Sequence, residues 1–248
     1  MNSTELSGQT ALVTGSTKRG IGAATAALLA SRGASVIVTG RDEEGGKQIA
    51  KEIVAAGGTA RFVGADLTDL DAVRALAAEV GEVDILINNA GVFPGATLVD
   101  QDVESFDAAF AVNVRALYFL TAAVVPGMVA RGRGSVVNVS TMAASVGMAG
   151  LSTYSATKAA VESLTRTWAV ELGGGGVRVN TVAPGPTRTD MVMAAMGEEG
   201  VAGVAGTTVL GRLATPEEIA SVIAFVASDA ASYLTGATIA ADAGRTAI

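Results

Sequence analysis

Tyr154 and Lys158 are the two residues whose types and spacing most directly indicate chemistry. They stand four positions apart in a stretch with helical periodicity, and residues at this spacing share one face of a helix. A phenol with a pKa of about 10 is a poor base at neutral pH, but a nearby cation lowers that pKa. The pair therefore predicts a tyrosine that donates or accepts a proton beside a lysine, although a tyrosine and a lysine on a solvated helix face have the same spacing.

The composition excludes most other catalytic groups. The 248-residue chain contains no histidine and no cysteine, which excludes Ser-His-Asp triads, metals bound by these residues, disulfides and thiolate nucleophiles. We therefore expect no metal site. The net charge of −7, without a basic cluster, argues against binding to nucleic acid or to a membrane surface. Residues 1–8 are polar and do not resemble a signal peptide, so a cytoplasmic protein is predicted.

Short apolar runs alternate with helical stretches along the whole chain. This alternation predicts a single α/β domain over residues 1–248, a Rossmann-type doubly wound parallel sheet of about seven strands with helices on both faces. The predicted strands are Thr10–Thr14, Ser35–Thr39, Ala60–Gly64, Val83–Asn88, Ser135–Ser140, Val177–Val182 and Ala237–Ala241. The predicted helices are Ile21–Ser31, Glu43–Ala56, Asp69–Glu79, Val103–Ala130, Thr153–Leu172 and Thr215–Ser228.

The segment from about Pro184 to Leu213 is predicted to be irregular, because it is rich in glycine and methionine. A long glycine-rich loop inside a compact domain is often a mobile lid. An ordinary surface loop has the same composition. We expect the segment at about 184–213 to be a substrate lid.

A glycine-rich turn joins the first predicted strand to the first predicted helix. It runs Gly15-Ser16-Thr17-Lys18-Arg19-Gly20-Ile21-Gly22. Glycines let the backbone turn sharply and approach a pyrophosphate, which the N-terminus of the following helix also attracts. The glycines alone are a weak signal, since 31 of the 248 residues are glycine, but the strand before and the helix after are the required context. The turn predicts a dinucleotide site.

The second predicted strand leads into Gly40, Arg41 and Asp42. An acidic residue in the position of Gly40 would accept hydrogen bonds from the ribose 2′-OH of NAD, which glycine cannot do. The guanidinium groups of Arg41 and Arg19 could instead bind the 2′-phosphate of NADP. We expect NADP(H) to be preferred over NAD(H). Alternatively, Arg41 is a solvated charge and Asp42 a helix N-cap.

Further short motifs follow in a fixed order. They are Asp66-Leu67, Asn88-Asn89-Ala90-Gly91, Asn113, Pro184-Gly185 with Thr189, and Asp242-Ala243-Gly244. Together with the glycine turn and the Tyr154–Lys158 pair, they resemble the motifs of the short-chain dehydrogenase/reductase family. The resemblance covers nearly the whole chain and is to the branch of compact single-domain subunits, similar to 3-oxoacyl-[acyl-carrier-protein] reductases and carbonyl reductases.

The resemblance implies a role for each motif. Asp66 would contact the adenine ring, and Asn113 would hold a water that relays protons. Lys158 would bind the nicotinamide ribose and lower the pKa of Tyr154. The implied cofactor-binding residues are Gly15, Ser16, Thr17, Arg19, Gly20, Ile21, Gly22, Arg41, Asp66, Leu67, Asn89, Ala90, Gly91, Tyr154, Lys158, Pro184, Gly185, Thr187 and Thr189.

The sequence departs from the family pattern at two places in the site. The glycine turn has four residues between Gly15 and Gly20, where the family usually has three. The family also places a serine thirteen residues before the tyrosine, where this chain has Thr141 with Ser140 beside it. Threonine keeps the hydroxyl and adds a methyl group. We favour Thr141 over Ser140 as the catalytic hydroxyl.

These motifs predict an enzyme that reduces a ketone reversibly to a secondary alcohol with NADPH. Thr141, Met142, Phe93 and Met191 are the predicted substrate contacts, and their mostly apolar character suggests a hydrophobic ketone or a 3-oxoacyl substrate. One alternative is an NAD-linked sugar or polyol dehydrogenase, and another is a non-catalytic NADP-binding scaffold. The family resemblance also implies a homotetramer, in which the helices near 103–130 and 153–172 pack across an interface.

Overall fold

Seven strands in the described part of the chain form one parallel sheet. The computed structural model describes residues 5–248, apart from the side chains at 191, 194–196 and 198. The strands are β1 (Thr10–Thr14), β2 (Ser35–Gly40), β3 (Thr59–Gly64), β4 (Ile85–Asn88), β5 (Gly134–Val139), β6 (Val177–Pro184) and β7 (Thr238–Ala241). Their order across the sheet is β3-β2-β1-β4-β5-β6-β7, and each pairing is parallel. The predicted doubly wound fold is confirmed.

Helices cover both faces of this sheet. They are α1 (Ile21–Ser31), α2 (Glu43–Ala55), α3 (Leu70–Val80), α4 (Val103–Phe110), α5 (Leu117–Ala130), α6 (Ser152–Leu172), α7 (Asp190–Ala205) and α8 (Pro216–Ala227). Successive residues of a strand point to opposite faces. Val13 of β1 packs in a core cluster with α1, α2 and α8, whereas its neighbour Leu12 packs in a second cluster with α3, α5 and α6. Both faces of the strand are buried, which explains its uninterrupted apolar sequence.

The ends of the predicted elements lie within two residues of the observed ends, and side-chain caps fix several of them. Asp42 accepts a hydrogen bond from the Gly45 amide at 2.9 Å, so the alternative that Asp42 is an N-cap is confirmed. Thr215 and Glu218 form a capping box at the start of α8. Such reciprocal bonds satisfy amides that the helix itself leaves without partners.

The predicted helix Val103–Ala130 is interrupted by a π-helical segment at Ala111–Ala116. Segments of this kind occur frequently at functional sites, and this one carries Asn113. By length and composition alone the whole helix could cross a membrane, but 44% of its most apolar window is buried inside the domain. Leu117 and Leu120 pack in the second core cluster, as expected for the core helix of an α/β domain.

The prediction that residues 184–213 are irregular is wrong for much of that segment. Thr189 caps α7 by accepting a hydrogen bond from the Val192 amide at 3.3 Å, and the helix continues to Ala205. The alanine, methionine and valine residues sustain the helix, and the glycines break it only at Gly197, which has φ +63°. A lid role for 184–213 stays a prediction.

Candidate active site

The sequence motifs converge at the carboxyl edge of the sheet. Because all strands run in the same direction, the segments that follow β1, β4, β5 and β6 leave the sheet at one edge. In open α/β sheets this edge forms the ligand crevice. The glycine turn follows β1, residues 89–93 follow β4, residues 140–144 follow β5 and residues 185–189 follow β6.

The glycine turn packs directly against the segment after β4. The Asn89 side-chain amide donates to the backbone oxygens of Thr14 at 2.9 Å and Gly15 at 3.0 Å. A Cβ atom at Gly15, which has φ +65°, would lie 2.7 Å from the Cα of Ala90, and one at Gly22 would collide with the Gly15 oxygen. The Ser16 side chain is turned inward, donating to Val13 at 2.7 Å. At Gly15 and Ser16 the turn therefore points no side chain outward, whereas Lys18 and Arg19 further along are exposed.

The two predicted phosphate-binding arginines lie near different carboxylates. The guanidinium of Arg19 is 3.5 Å from Glu52 on α2. Arg41 lies close enough to Asp66 to contribute to the lowered pKa of that carboxyl, whose main cause is the hydrogen bond from the Thr68 amide. Asp66 also accepts the Thr68 hydroxyl at 2.8 Å. Arg41 thus lies in the neighbourhood of Asp66, while Arg19 forms an exposed ion pair with α2.

Tyr154 and Lys158 lie on α6, where it passes the end of β5. The buried Lys158 ammonium donates to the Val139 oxygen at 2.8 Å and lies 5.9 Å from the centre of the Tyr154 ring. Burial lowers the pKa of Lys158 to about 8. Burial also raises the pKa of Tyr154 to about 12, against a smaller lowering effect of the Thr141 hydroxyl. Desolvation therefore dominates the pKa of Tyr154 in this structure, and the lowering of that pKa by Lys158 stays a prediction.

The structure separates the roles of Ser140 and Thr141. The Ser140 hydroxyl donates to a carboxylate oxygen of Glu162 at 2.8 Å, whereas Thr141 faces Tyr154. The geometry thus favours Thr141 as the hydroxyl available to a substrate. Glu162 was not among the predicted site residues. Its position four residues after Lys158, on the same helix face, is the sequence signal that could have indicated it.

Asn113 is fully buried and ties the loop after β4 to α6. Its side-chain oxygen accepts from the Val92 amide at 2.8 Å, and its amide donates to the Val92 oxygen and to the Thr157 hydroxyl, each at 3.0 Å. The Lys158 ammonium lies 3.4 Å from the place of a Cβ at neighbouring Gly91. Asn113 and the Lys158 ammonium therefore both adjoin Gly91.

The predicted substrate residues surround Tyr154 only in part. The Phe93 ring makes an edge contact with the Tyr154 ring at a centroid distance of 4.7 Å, and Met142 is buried beside Thr141. The Met191 side chain lies outside the described residues. Aromatic edge contacts of this kind restrict the orientation of a ring, so Phe93 helps to fix the phenol.

The segment after β6 reaches across to the glycine turn. The Gly185 amide donates to Ala241 at 2.9 Å, and the buried Thr187 hydroxyl donates to the Gly185 oxygen at 3.0 Å. The Thr189 methyl lies 3.7 Å from the place of a Cβ at Gly20. The sequence-distant residues of the predicted cofactor site are thereby neighbours in space.

A Rossmann-type sheet with a glycine turn at its carboxyl edge, and with a tyrosine and a lysine at the same edge, is typical of an oxidoreductase that uses a nicotinamide dinucleotide. The model of a family described as "Enoyl-(Acyl carrier protein) reductase" matches residues 15–246. The chain belongs to the short-chain dehydrogenase/reductase family, and it is an NAD(P)-dependent enzyme acting on the CH–OH and C=O groups of alcohols and ketones.

Three similar proteins illustrate the range of this family. The chain is 44% identical to cis-4-hydroxycyclohexanecarboxylate dehydrogenase of Sinomonas cyclohexanicum, over 96% of each chain. It is 39% identical to a 3-oxoacyl-[acyl-carrier-protein] reductase of Thermotoga maritima, over 96% of this chain and 98% of the relative. A solved structure of a 3-oxoacyl (acyl-carrier-protein) reductase from Agrobacterium tumefaciens with NADP bound is 35% identical, with a TM-score of 0.91 over 97% of this chain and 95% of that chain.

Proposed function

We propose that the protein is an NADPH-dependent reductase that converts a ketone reversibly into a secondary alcohol, with Tyr154 as the general acid and base. The observation that carries the proposal is the convergence of Thr141, Tyr154 and Lys158 at the same carboxyl edge of the sheet as the glycine turn. The NADP-bound relative and the 3-oxoacyl reductase support the same chemistry.

The residues at the carboxyl edge fit a nicotinamide dinucleotide. Because Gly15 and Gly22 lack side chains, the turn packs closely on Asn89 and Ala90. The first amides of α1 have no side-chain cap and are available to a pyrophosphate. Arg41 beside the side-chain-free Gly40 favours a 2′-phosphate, hence NADP(H) over NAD(H). When bound, the nicotinamide supplies or accepts the hydride.

Each side chain of the site has its own proposed role in the reaction. Tyr154, with a pKa of about 12, is protonated at neutral pH and donates its proton to the developing alkoxide. The Thr141 hydroxyl donates to the carbonyl oxygen and orients it. Lys158 contributes positive charge next to the phenol. Asn113 holds the loop after β4 against α6, near the proposed route by which a proton passes from solvent back to Tyr154.

The substrate proposed for this site is a hydrophobic ketone or a 3-oxoacyl compound. Phe93 gives the surroundings of Tyr154 an apolar character, and Met142 follows Thr141 in a buried position. Met191 of α7 is the predicted lid contact. Of the basic residues near α7, Arg212 is held by both carboxylate oxygens of Glu218, at 2.8 and 2.7 Å. That ion pair makes Arg212 a poor anion ligand.

Two alternative functions receive less support. An NAD-linked sugar or polyol dehydrogenase would need an acceptor for the ribose 2′-OH where this chain has Gly40. A non-catalytic NADP-binding scaffold would have no use for a buried lysine next to a tyrosine. The similarity to a hydroxycyclohexanecarboxylate dehydrogenase nevertheless favours testing cyclic hydroxy acids in the oxidative direction.

The proposed assembly is a homotetramer, and the proposed location is the cytoplasm. Tyr118 and Phe119 on α5 are about two-fifths exposed, and Val170 on α6 is 85% exposed. A groove of about 510 Å³ lined by α5 and α6 lies beside them, with Trp168 in its wall. Apolar surface of this kind is typical of an interface between copies of a chain.

The test of the proposal is the Tyr154→Phe variant combined with a substrate screen. Oxidation of NADPH and NADH is followed spectrophotometrically with aryl ketones, 3-oxoesters, 3-oxoacyl thioesters, an enoyl thioester and sugars. We expect NADPH-dependent ketone reduction that Tyr154→Phe abolishes, while NADPH binding remains largely intact. Retained activity in the variant would contradict the role of Tyr154, and a clear NADH preference would contradict the cofactor assignment.

A further inference from the structure

The glycine turn carries Thr17 against the end of β2. Thr17 is only 8% exposed, and its two outer side-chain atoms face Gly40. A Cβ atom at Gly40 would lie 2.9 Å from both Cγ2 and Oγ1 of Thr17. Real Cβ atoms essentially never approach other atoms this closely. As the structure stands, position 40 has no room for any side chain.

Rotation of Thr17 cannot open this space. The threonine Cβ has three staggered positions, of which Cγ2 and Oγ1 occupy two. Both occupied positions face Gly40, so any other staggered rotamer still leaves one heavy atom there. The threonine backbone is also confined, because a Cβ atom at Gly45 would collide with the Thr17 oxygen. Thr17 thus packs on two glycines. Its side chain lies against Gly40 at the end of β2, and its backbone oxygen lies against Gly45 in the first turn of α2.

We propose that Thr17 is a specificity-determining residue of the cofactor site, because it excludes the side chain that would recognise NAD. A carboxylate in the position of Gly40 is the group that accepts the ribose 2′-OH of NAD. Thr17 keeps this position empty and leaves Arg41 as the side chain at the end of β2. This inference rests on the proposed preference for NADP(H) and adds a steric cause to the electrostatic one.

The proposal predicts coupling between positions 17 and 40. Thr17→Ala removes both outer atoms, whereas Thr17→Val keeps both positions filled with carbon and is the matched control. Gly40→Ala tests the space alone, because it adds only a Cβ atom. In the wild-type and Thr17→Val chains we expect Gly40→Ala to lower Tm by roughly 2–10 °C. In the Thr17→Ala chain the same change should lower Tm by clearly less.

Gly40→Asp, made in the same three chains, tests the effect on the cofactor. Dissociation constants for NADH and NADPH are measured by equilibrium fluorescence titration, which requires no turnover. We expect Gly40→Asp to tighten NADH binding about tenfold or more in the Thr17→Ala chain. In the wild-type and Thr17→Val chains it should bring no gain.

The two measurements separate this inference from the function on which it rests. Equal losses of Tm from Gly40→Ala in all three chains would overturn the steric exclusion. Tighter NADH binding by Gly40→Asp in the wild-type chain, or no gain in the Thr17→Ala chain, would overturn the role in specificity. If the wild-type protein instead bound NADH more tightly than NADPH, the proposed cofactor preference would fail even with the Tm coupling intact.

Discussion

Removing the hydroxyls of Ser140 and Thr141 one at a time should give opposite effects on stability and rate. In Ser140→Ala, the half-buried Glu162 carboxylate loses a donor at 2.8 Å. Leaving such an acceptor unpaired costs about 1–3 kcal/mol of unfolding free energy. For a chain of this size that corresponds to a loss of roughly 2–10 °C in Tm. Because Ser140 does not face the substrate side of Tyr154, kcat should change by only a few-fold.

Thr141→Ala should show the reverse pattern. The Thr141 hydroxyl accepts one long hydrogen bond, from the Ala143 amide at 3.3 Å, so its loss should cost less than about 1 kcal/mol of stability. As the donor to the substrate carbonyl, however, its loss should lower kcat about 10²–10³-fold. Steady-state ketone reduction gives kcat and KM, calorimetry gives Tm, and fluorescence titration of NADPH checks that the cofactor site is intact.

Two variants at position 141 serve as controls for shape. Thr141→Ser keeps the hydroxyl and should retain kcat within a few-fold, whereas Thr141→Val keeps the volume and should be as slow as Thr141→Ala. The assignment would be refuted if Ser140→Ala lost more rate than Thr141→Ala without losing stability. In that case Ser140 would leave Glu162 and act on the substrate itself.

Two further predictions concern pH and backbone strain. Burial lowers the pKa of Lys158 to about 8, whereas Tyr154 stays protonated to about 12. The value of kcat/KM for ketone reduction should therefore be level below pH 8 and fall above it, as Lys158 loses its charge. A profile that stays flat between pH 6 and 10 would contradict this. Ala243 has φ +55°, a conformation that costs a non-glycine residue about 1–2 kcal/mol. Ala243→Gly should therefore raise the unfolding free energy by up to about 1 kcal/mol, after the larger unfolded-state entropy of glycine is deducted, which calorimetry would detect as a small rise in Tm.

The sequence was most informative where a local pattern determines the structure. The alternation of strands and helices predicted the sheet, and the spacing of Tyr154 and Lys158 predicted their common helix face. Such features depend on residues close together in the chain. The π-helical segment around Asn113 and the helix α7 were missed. The first depends on how the helices pack, and the second depends on a cap at Thr189 that starts a helix in a glycine-rich segment. The contact between Thr17 and Gly40 joins the glycine turn after β1 to the end of β2, two segments far apart in the sequence, and needs coordinates to be seen.

The pKa values of the site likewise depend partly on local sequence and partly on packing. Sequence spacing indicated that a cation lies near the phenol, and a cation alone would lower the pKa of Tyr154. The structure adds that Tyr154 is half-buried, and the desolvation of its phenol raises that pKa to about 12. Burial is a property of the packed domain, so the sign of the shift could not be read from the spacing. The resulting phenol is suited to donating a proton in the direction of ketone reduction.

Directional hydrogen bonds fix the position of α6 more closely than apolar packing could. Lys158 bonds the Val139 oxygen and Ser140 bonds Glu162, so the end of β5 holds two successive turns of the helix. Deeper in the domain, the Thr165 hydroxyl accepts from Asn138 of β5 at 2.8 Å, and it continues this line of contacts along the same helix. Apolar contacts tolerate small shifts, whereas hydrogen bonds weaken steeply with misalignment. The strand therefore sets both the rotation and the axial position of α6, and with them the place at which Tyr154 meets a carbonyl.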